Sequence, residues 1–236
     1  MIGANSSPII LALDTDDLEV AKSWVNATRA SIDIYKVGLE FFLKFGRAGL
    51  AEIQSESGAE IFLDLKLHDI PNTVSSAVKS VSDLAPKFLT VHASGGAPMI
   101  AAAVAASEEI SITAVTILTS LNEEDLIEIG FKPGTDERAA QLAKLATENG
   151  ARAIVCSPLE IESIRKVIPK NVSIITTGIR PQTNSLSDDQ KRTMTPSAAI
   201  AAGANYLVIG RPITEQWKIG PNAMSERAAQ IRAEIK

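Results

Sequence analysis

Short apolar runs alternate with longer amphipathic stretches along this 236-residue chain, and this alternation constrains the fold more than any other feature. The runs are rich in β-branched residues and apolar at successive positions, which is typical of parallel strands covered on both faces. They are Ile9 to Leu13, Asp33 to Val37, Glu60 to Leu63, Phe88 to His92, Ile112 to Ile117, Ala153 to Cys156, Val172 to Thr176 and Tyr206 to Ile209. The stretches with helical periodicity are Leu18 to Arg29, Leu39 to Ser57, Thr73 to Asp83, Met99 to Ser107, Glu137 to Asn149, Leu159 to Val167, Ser197 to Ala202 and Ala223 to Lys236. Eight strand–helix units in one series predict an α/β fold, a closed (β/α)8 TIM barrel.

The sequence predicts a single domain over residues 1–236, because no linker, low-complexity tract or change in composition divides it. Gly58, Gly150 and Gly203 each predict the end of a helix shortly before a strand. An open doubly wound sheet is the structural alternative. It would need a glycine-rich phosphate loop after its first strand, whereas residues 13–17 read Leu-Asp-Thr-Asp-Asp.

The distribution of charge excludes several classes of function. The net charge is −5, and lysines and arginines are scattered among acidic residues, so no basic stripe exists to bind nucleic acid or an anionic membrane. Residues 1–7 lack a signal-peptide pattern, and no apolar run approaches the ~20 residues that span a bilayer. The single cysteine, Cys156, excludes an intrachain disulfide framework and a multi-cysteine metal cluster, and its apolar neighbours predict burial. We therefore expect a cytoplasmic protein.

Charged residues gather where the first three predicted strands end. Asp64 and Lys66 follow the third apolar run two positions apart, so on a strand both point to the barrel mouth. Asp69 comes where the chain leaves the barrel, Lys36 ends the second strand and Asp14 follows the first. Acidic and basic groups in a confined site must neutralise one another, because an unpaired buried charge is costly. The pattern indicates a catalytic charge network, and the alternative is a structural ring of ion pairs or solvated surface.

Two glycine–arginine segments follow the last two predicted strands. Gly178 and Arg180 come after the seventh strand, and Gly210 and Arg211 come after the eighth. In barrels of this type the loops after strands seven and eight commonly bind phosphate. Glycine lets backbone N–H groups approach an anion, and arginine adds a bidentate contact. The two segments together predict a phosphate site, and the alternative is two tight turns with solvated arginines.

A polar segment, Gln182 to Thr195, separates the two glycine–arginine segments and has neither strand nor helix periodicity. A loop of this length within a barrel is either a lid or a disordered excursion. Its position beside the predicted phosphate site favours a lid. Gln190 could then reach over the phosphate.

These motifs together resemble the orotidine 5′-phosphate decarboxylase family, from Ile9 to Thr214. The most specific of them is the Asp-x-Lys-x-x-Asp motif, Asp64-Leu65-Lys66-Leu67-His68-Asp69, followed by Ile70-Pro71-Asn72-Thr73. The others are Asp14, Tyr35-Lys36-Val37-Gly38, Val91-His92-Ala93-Ser94-Gly95-Gly96, Leu118-Thr119-Ser120, Gly178-Ile179-Arg180-Pro181 and Gly210-Arg211-Pro212. The resemblance implies conversion of orotidine 5′-monophosphate to UMP in pyrimidine biosynthesis.

The resemblance also implies substrate contacts that the spacing alone does not give. They are Asp14 and Lys36 at the ribose hydroxyls, Ser120 at the pyrimidine edge with Thr119 beside it, Gln190, Gly210 and Arg211 at the phosphate, Arg180 in support of the lid, and Thr73 near the ribose or phosphate.

The reaction that the resemblance implies needs neither a metal nor an organic cofactor. Lys66 would stabilise the carbanion left at C6 and then protonate it, while Asp64 lies near the departing carboxylate and Lys36 and Asp69 complete the catalytic set. The family is a homodimer, in which Asp69 and Ile70 would reach into the neighbouring subunit's site.

Two other functions remain open from sequence. A 3-keto-L-gulonate 6-phosphate decarboxylase shares the barrel and the motif, but it uses Mg2+ and has an acidic residue where Lys36 stands. A non-catalytic nucleotide-binding barrel could keep the arginines but has no reason to keep Lys66 between two aspartates. His68 and His92 are too few to indicate a metal centre, and we expect a surface position for His68 and a structural role for His92.

Overall fold

The computed structural model describes residues 6–181 and 193–235, and in it eight parallel strands close into one barrel. Strand β1 pairs with β2 on one side and with β8 on the other, so the open-sheet alternative is wrong. The strands are β1 (Ile9–Ala12), β2 (Ile34–Gly38), β3 (Glu60–Leu67), β4 (Phe88–His92), β5 (Ser111–Val115), β6 (Ala153–Cys156), β7 (Ser173–Thr176) and β8 (Tyr206–Ile209). Each overlaps the apolar run that predicts it.

Helices cover the outside of the barrel between successive strands. In the described residues they are α1 (Leu18–Thr28), α2 (Leu39–Ser57), α3 (Pro71–Val81), α4 (Ala97–Ala105), α5 (Glu123–Glu128), α6 (Thr135–Glu148), α7 (Ile161–Arg165), α8 (Pro196–Ala201), α9 (Arg211–Thr214) and α10 (Pro221–Ala233). The apolar periodicity does not predict α5 and α9, because both are too short to show it. Within residues 6–181 and 193–235, no helix is long and apolar enough to cross a membrane.

The strands have two apolar faces with different partners. Outward-facing residues such as Leu11, Leu63 and Ile154 pack with the helices in one large cluster. Inward-facing residues fill the barrel interior in a separate cluster: Ile10, Ala12, Ile34, Phe62, Phe88, Val115, Ala153, Val155, Ile175, Tyr206 and Val208. This double burial explains why the strands read as continuous apolar runs. Cys156 is buried as predicted, and burial raises the pKa of its thiol well above the usual range.

The inward-facing positions change from apolar to polar near the carboxyl ends of the strands. Along β2 the inward series runs from Ile34 to Lys36, and along β3 it runs from Phe62 to Asp64. The register pairs Lys36 with Phe62 and Gly38 with Asp64, so Lys36 lies level with the last core residue of β3 and Asp64 lies one inward position beyond it. The fold therefore brings the predicted site residues of separate strands to one end of the barrel.

Candidate active site

A cavity of about 260 Å3 opens at the carboxyl ends of the strands. Its wall combines charged residues with the apolar top of the barrel core, including Phe62, Val115 and Val208. The predicted site residues that line it are Asp14, Lys36, Asp64, Lys66, Thr119, Arg180, Gly210 and Arg211, together with Gly178. A mainly apolar floor with a few convergent charges is typical of a small-molecule site.

Four side chains of alternating charge form a line across one wall. Lys36 Nζ lies 2.9 Å from Asp14 Oδ1 and 3.9 Å from Asp64 Oδ2. Lys66 Nζ lies 2.7 Å from the same Asp64 oxygen. The two carboxylates and two ammonium groups balance, which lets Lys36 and Asp64 be largely buried without a net local charge. Four of the five charged residues predicted to gather at the strand ends therefore lie together, and Asp69 does not lie with them.

The Asp64–Lys66 pair lies in a bulge of β3 and not on a regular strand. Leu63 is in register with Leu89 of β4, but the next partners are Leu67 and Val91, so β3 has two extra residues. Lys66 takes a left-handed backbone conformation at this bulge, with φ of 49°. Side-chain alternation on a regular strand predicts that Asp64 and Lys66 lie together, and they do. The reason is only partly alternation, because the bulge changes the direction of the Lys66 side chain.

Thr90 of β4 connects both members of this pair and is completely buried. Its hydroxyl accepts a hydrogen bond from the backbone N–H of Lys66 at 2.8 Å and donates one to Asp64 Oδ1 at 3.0 Å. The two oxygens of Asp64 therefore have different partners, Thr90 for one and Lys66 for the other. The motifs do not include Thr90, although its alternation with His92 along β4 gives a signal that it faces the interior.

The adjoining wall comes from the loops after β7 and β8, because β8 pairs with both β7 and β1 in the closed barrel. Gly178 has φ of 72°, a conformation that favours glycine. The Arg180 guanidinium donates to the Ile179 carbonyl at 2.8 Å, and Arg211 is exposed at the start of α9. The two glycine–arginine segments thus line the same cavity as the charged line, and Gly210 lies next to its Asp14 end.

Four predicted site residues do not line this cavity. Asp69, Ile70 and Thr73 are exposed at the start of the loop and helix after β3, and Ser120 is exposed beside Thr119. Asp69 Oδ1 accepts a hydrogen bond from the backbone N–H of Ile70 at 2.6 Å.

The Gln190 prediction lies outside the described residues, as does most of the polar segment Gln182 to Thr195. The described part of that segment has more structure than its composition suggests. Met194 pairs with Ile179 in a parallel bridge, and the Thr195 side chain caps the N-terminus of α8.

The two histidines lie together beside the charged line. Their ring centroids are 5.4 Å apart, with His68 exposed, as predicted, and His92 half-buried. Burial, followed by the charges of His68 and Lys66, lowers the pKa of His92 below its usual value, while Asp64 acts in the opposite direction.

A larger cavity, of about 720 Å3, opens at the amino ends of β3 to β8. Lys87 there pairs with Glu60, and Arg152 donates to the backbone carbonyls of Glu108 and Ile110. Active sites of such barrels lie at the carboxyl ends, where the smaller cavity is.

Comparison with known proteins places this site in a family. The model of the orotidine 5′-phosphate decarboxylase / HUMPS family matches residues 7–222, which include every residue of the charged line and both glycine–arginine segments. The chain belongs to this family. Orotidine 5′-phosphate decarboxylase from Thermobifida fusca is 49% identical over 209 residues, with 89% of each chain covered. The enzyme from Paramagnetospirillum magneticum is 41% identical and covers 97% of this chain and 98% of its own.

Family relatives of known structure share the complete barrel. The crystal structure of orotidine 5′-phosphate decarboxylase from Lactobacillus acidophilus superposes with a TM-score of 0.82 at 33% identity, covering 96% of this chain and 99% of its own. The family thus extends over the whole barrel described above, and the fold predicted from sequence is confirmed.

Proposed function

We propose that this protein decarboxylates orotidine 5′-monophosphate to UMP, with Lys66 donating the proton that replaces the carboxylate. The observation that carries the proposal is the Lys66–Asp64 pair, 2.7 Å apart, in a cavity that is also lined by two arginines. Membership of the family and the names of the relatives support the substrate. We further infer that residues 1–236 form one catalytic domain, and a cytoplasmic location stays a prediction.

The proposed chemistry follows from the electron pair that decarboxylation leaves behind. Breaking the bond between C6 and the carboxylate releases CO2 and places two electrons on C6, where the pyrimidine ring delocalises them poorly. The Lys66 ammonium would stabilise this charge by proximity and then transfer a proton to C6. An ammonium has three donors, and among the described residues Asp64 uses one of them, which leaves donors for the reacting carbon.

Asp64 would act on the other partner of the reaction, the departing carboxylate. Its position beside Lys66 would bring it near that group, so their repulsion would disfavour the bound substrate and be relieved as CO2 leaves. Lys36, between Asp14 and Asp64, would hold both carboxylates in place and contact the ribose together with Asp14.

The remaining substrate contacts would come from the other walls of the cavity. Gly210 and Arg211 would bind the phosphate, Arg180 would support the neighbouring loop, and Thr119 and Ser120 would lie at the pyrimidine edge. The protein carries a net charge of −5, so an anionic substrate depends on these local groups and not on the overall field.

We also propose a homodimer in which Asp69 and Ile70 complete the partner's site. Both residues are exposed and lie outside the cavity of their own chain. Ile70 is 65% exposed, and the large apolar side chains of Leu39 and Leu43 are exposed on the helix after β2. Burial of such groups against a second subunit would stabilise the association.

The position of Lys36 argues against the Mg2+-dependent alternative. Its ammonium lies within 4 Å of carboxylates of both Asp14 and Asp64, so a cation already occupies the space between them. A divalent ion there would meet electrostatic repulsion from Lys36.

The test is turnover of orotidine 5′-monophosphate, followed by the change in pyrimidine absorbance with and without EDTA. We expect EDTA-resistant formation of UMP by the wild-type protein. Replacement of the general acid, Lys66→Ala, should lower kcat at least about 10³-fold, while UMP binding measured by calorimetry stays largely intact. Lys79→Ala, which removes an exposed lysine from α3, is the matched control and should keep wild-type turnover.

Three results would overturn the proposal or a part of it. Folded wild-type protein without turnover would exclude the substrate, and turnover that EDTA abolishes would point to the metal-dependent alternative. Near-normal turnover by Lys66→Ala would remove Lys66 from the proton-transfer step.

A further inference from the structure

The hydroxyl of Thr90, on β4, forms hydrogen bonds with both Asp64 and Lys66 of β3. A threonine hydroxyl has one donor and two acceptor lone pairs. The donor goes to Asp64 Oδ1 at 3.0 Å, and one lone pair accepts the Lys66 backbone N–H at 2.8 Å. These are the side chain of one proposed catalytic residue and the main chain of the other.

We propose that Thr90 is a positioning residue for the decarboxylation, an inference that rests on the proposed function of Asp64 and Lys66. Its hydroxyl fixes the rotation of the Asp64 carboxylate, so that Oδ2 faces the Lys66 ammonium and Oδ1 faces the barrel wall. The same hydroxyl holds the backbone of Lys66 in the bulge. One side chain therefore sets both partners of the reacting pair.

The backbone of Lys66 shows why such support is needed. A side chain other than glycine rarely adopts φ of 49°, so the surrounding structure must hold Lys66 there. The bulge leaves the Lys66 N–H without a regular strand partner, because the ladder between β3 and β4 skips from Leu63 to Leu67. Thr90 accepts this N–H from inside the barrel and so fixes the direction in which Lys66 leaves the strand.

Asp64 has the complementary requirement. Its carboxylate contacts Lys66 at 2.7 Å and Lys36 at 3.9 Å through a single oxygen. Without a donor on Oδ1, the group could rotate and offer either oxygen to either lysine. The Thr90 hydroxyl removes this freedom because Thr90 is fully buried and its own position is fixed by packing.

The neighbouring strand provides a matched control. Thr113 of β5 is in register with Thr90 and is equally buried, but its hydroxyl donates to the backbone carbonyl of Ser111 at 2.9 Å. Thr90→Val and Thr113→Val remove the same hydroxyl from the same layer of the barrel. Only the first removes contacts to Asp64 and Lys66.

The experiment compares the kinetics of Thr90→Val, Thr90→Ser and Thr113→Val with those of the wild-type protein. Loss of a hydrogen bond to a charged group predicts that Thr90→Val lowers kcat at least about tenfold. KM and the affinity for UMP should change less than about threefold, because the positioning acts on the reacting groups. Thr90→Ser keeps the hydroxyl and should restore kcat to within about threefold of wild type, and Thr113→Val should retain wild-type kcat. If Thr90→Val does not fold, Thr90→Ala carries the same test.

Thr90→Val with wild-type kcat overturns the proposal, and so does an equal loss of kcat in Thr113→Val. A crystal structure of Thr90→Val separates this inference from the proposed function. If Lys66 keeps its left-handed φ and its 2.7 Å contact with Asp64, positioning by Thr90 is wrong whatever the substrate. If wild-type protein lacks turnover while the variant's pair is displaced, the proposed function fails and the positioning role stands.

Discussion

Asp64 and Lys66 combine two features that a purely structural ion pair would not require. Lys66 has a left-handed backbone, which costs roughly 1–2 kcal/mol for a residue with a Cβ. Asp64 is nearly buried, and both of its oxygens are hydrogen-bonded. A structural ring of ion pairs could close the barrel mouth without this backbone strain. Strain that the surroundings hold in place is characteristic of functional sites, which favours the catalytic interpretation of the pair.

His92 gives the site a dependence on pH that can be measured as stability. Its pKa is lowered in the folded protein by burial and by the charges of His68 and Lys66, whereas an unfolded histidine titrates near pH ~6.5. As pH falls below that value, the unfolded chain takes up a proton that the folded protein does not. The contribution of neutral His92 to the free energy of unfolding is therefore fully present above about pH 6.5. It is lost as pH falls towards the lowered pKa of the folded protein.

We expect His92→Gln to have a smaller fall in Tm between pH 7.5 and pH 5.5 than the wild-type protein, measured by differential scanning calorimetry. His68→Gln is the control. His68 is exposed, and its charge is a smaller cause of the lowered His92 pKa than burial, which this variant leaves in place. It should keep most of the wild-type pH dependence. Equal pH dependence in wild type and His92→Gln would contradict the prediction.

At the scale of elements, regular periodicity was enough to predict every strand, whereas the irregular features needed tertiary contacts. At the bulge in β3, Lys66 and Asp64 form hydrogen bonds with Thr90 of the neighbouring strand β4. No local pattern in the sequence encodes such a contact. For Asp69 and Ile70, spacing along the chain predicts only a loop position. It does not predict their contacts, because their proposed partners belong to another chain.

Helix α5 is a different case, because the sequence does contain its signal. Asn122 and Asp125 form a reciprocal capping box at its N-terminus, and the spacing of these two residue types is visible in the sequence. The helix has six residues, too few for apolar periodicity to appear. Capping residues are therefore the better guide to short helices in the loops of this barrel.

The loop after β7 provides a test of the proposed phosphate site. Gly178→Ala places a Cβ at φ of 72°, so it should lower the free energy of unfolding by about 1–2 kcal/mol in urea titrations. It should also raise KM for orotidine 5′-monophosphate about tenfold, since the displaced loop would lose a contact with the anion.

Gly58→Ala is the matched control for this loop. Gly58 ends α2 with φ of 63°, and a Cβ there would have no atom within 4 Å. The control should lose a similar amount of stability and keep wild-type KM. An unchanged KM in Gly178→Ala would exclude its loop from substrate binding.

At the scale of the whole molecule, closure of the barrel joins two walls of one cavity that come from opposite ends of the chain. The first three strands contribute the charged line, and the last two contribute the glycine–arginine segments. Closure of the barrel between β8 and β1 brings Gly210 close to Asp14, so a Cβ at Gly210 would lie 3.8 Å from Asp14 Oδ2. A substrate with a phosphate at one end and a reacting carbon at the other fits this division of the cavity.

The proposed dimer makes a prediction about subunits that differ in one residue. If Asp69 completes the partner's site, both Lys66→Ala and Asp69→Ala are inactive as homodimers. A heterodimer of the two, purified through two different affinity tags, has one site with both Lys66 and Asp69 intact. It should recover about half of the wild-type rate per dimer, since one of its two sites is complete.

A second heterodimer, of Lys66→Ala with Asp64→Ala, distinguishes sharing between subunits from recovery by any other route. Asp64 and Lys66 of one chain contact each other in the same cavity, so neither site of this heterodimer is complete. It should remain inactive under the same assay. If the Lys66→Ala and Asp69→Ala heterodimer is no more active than this control, then Asp69 acts within its own chain or outside the site. The shared site would then be wrong even if the protein proves to be a dimer.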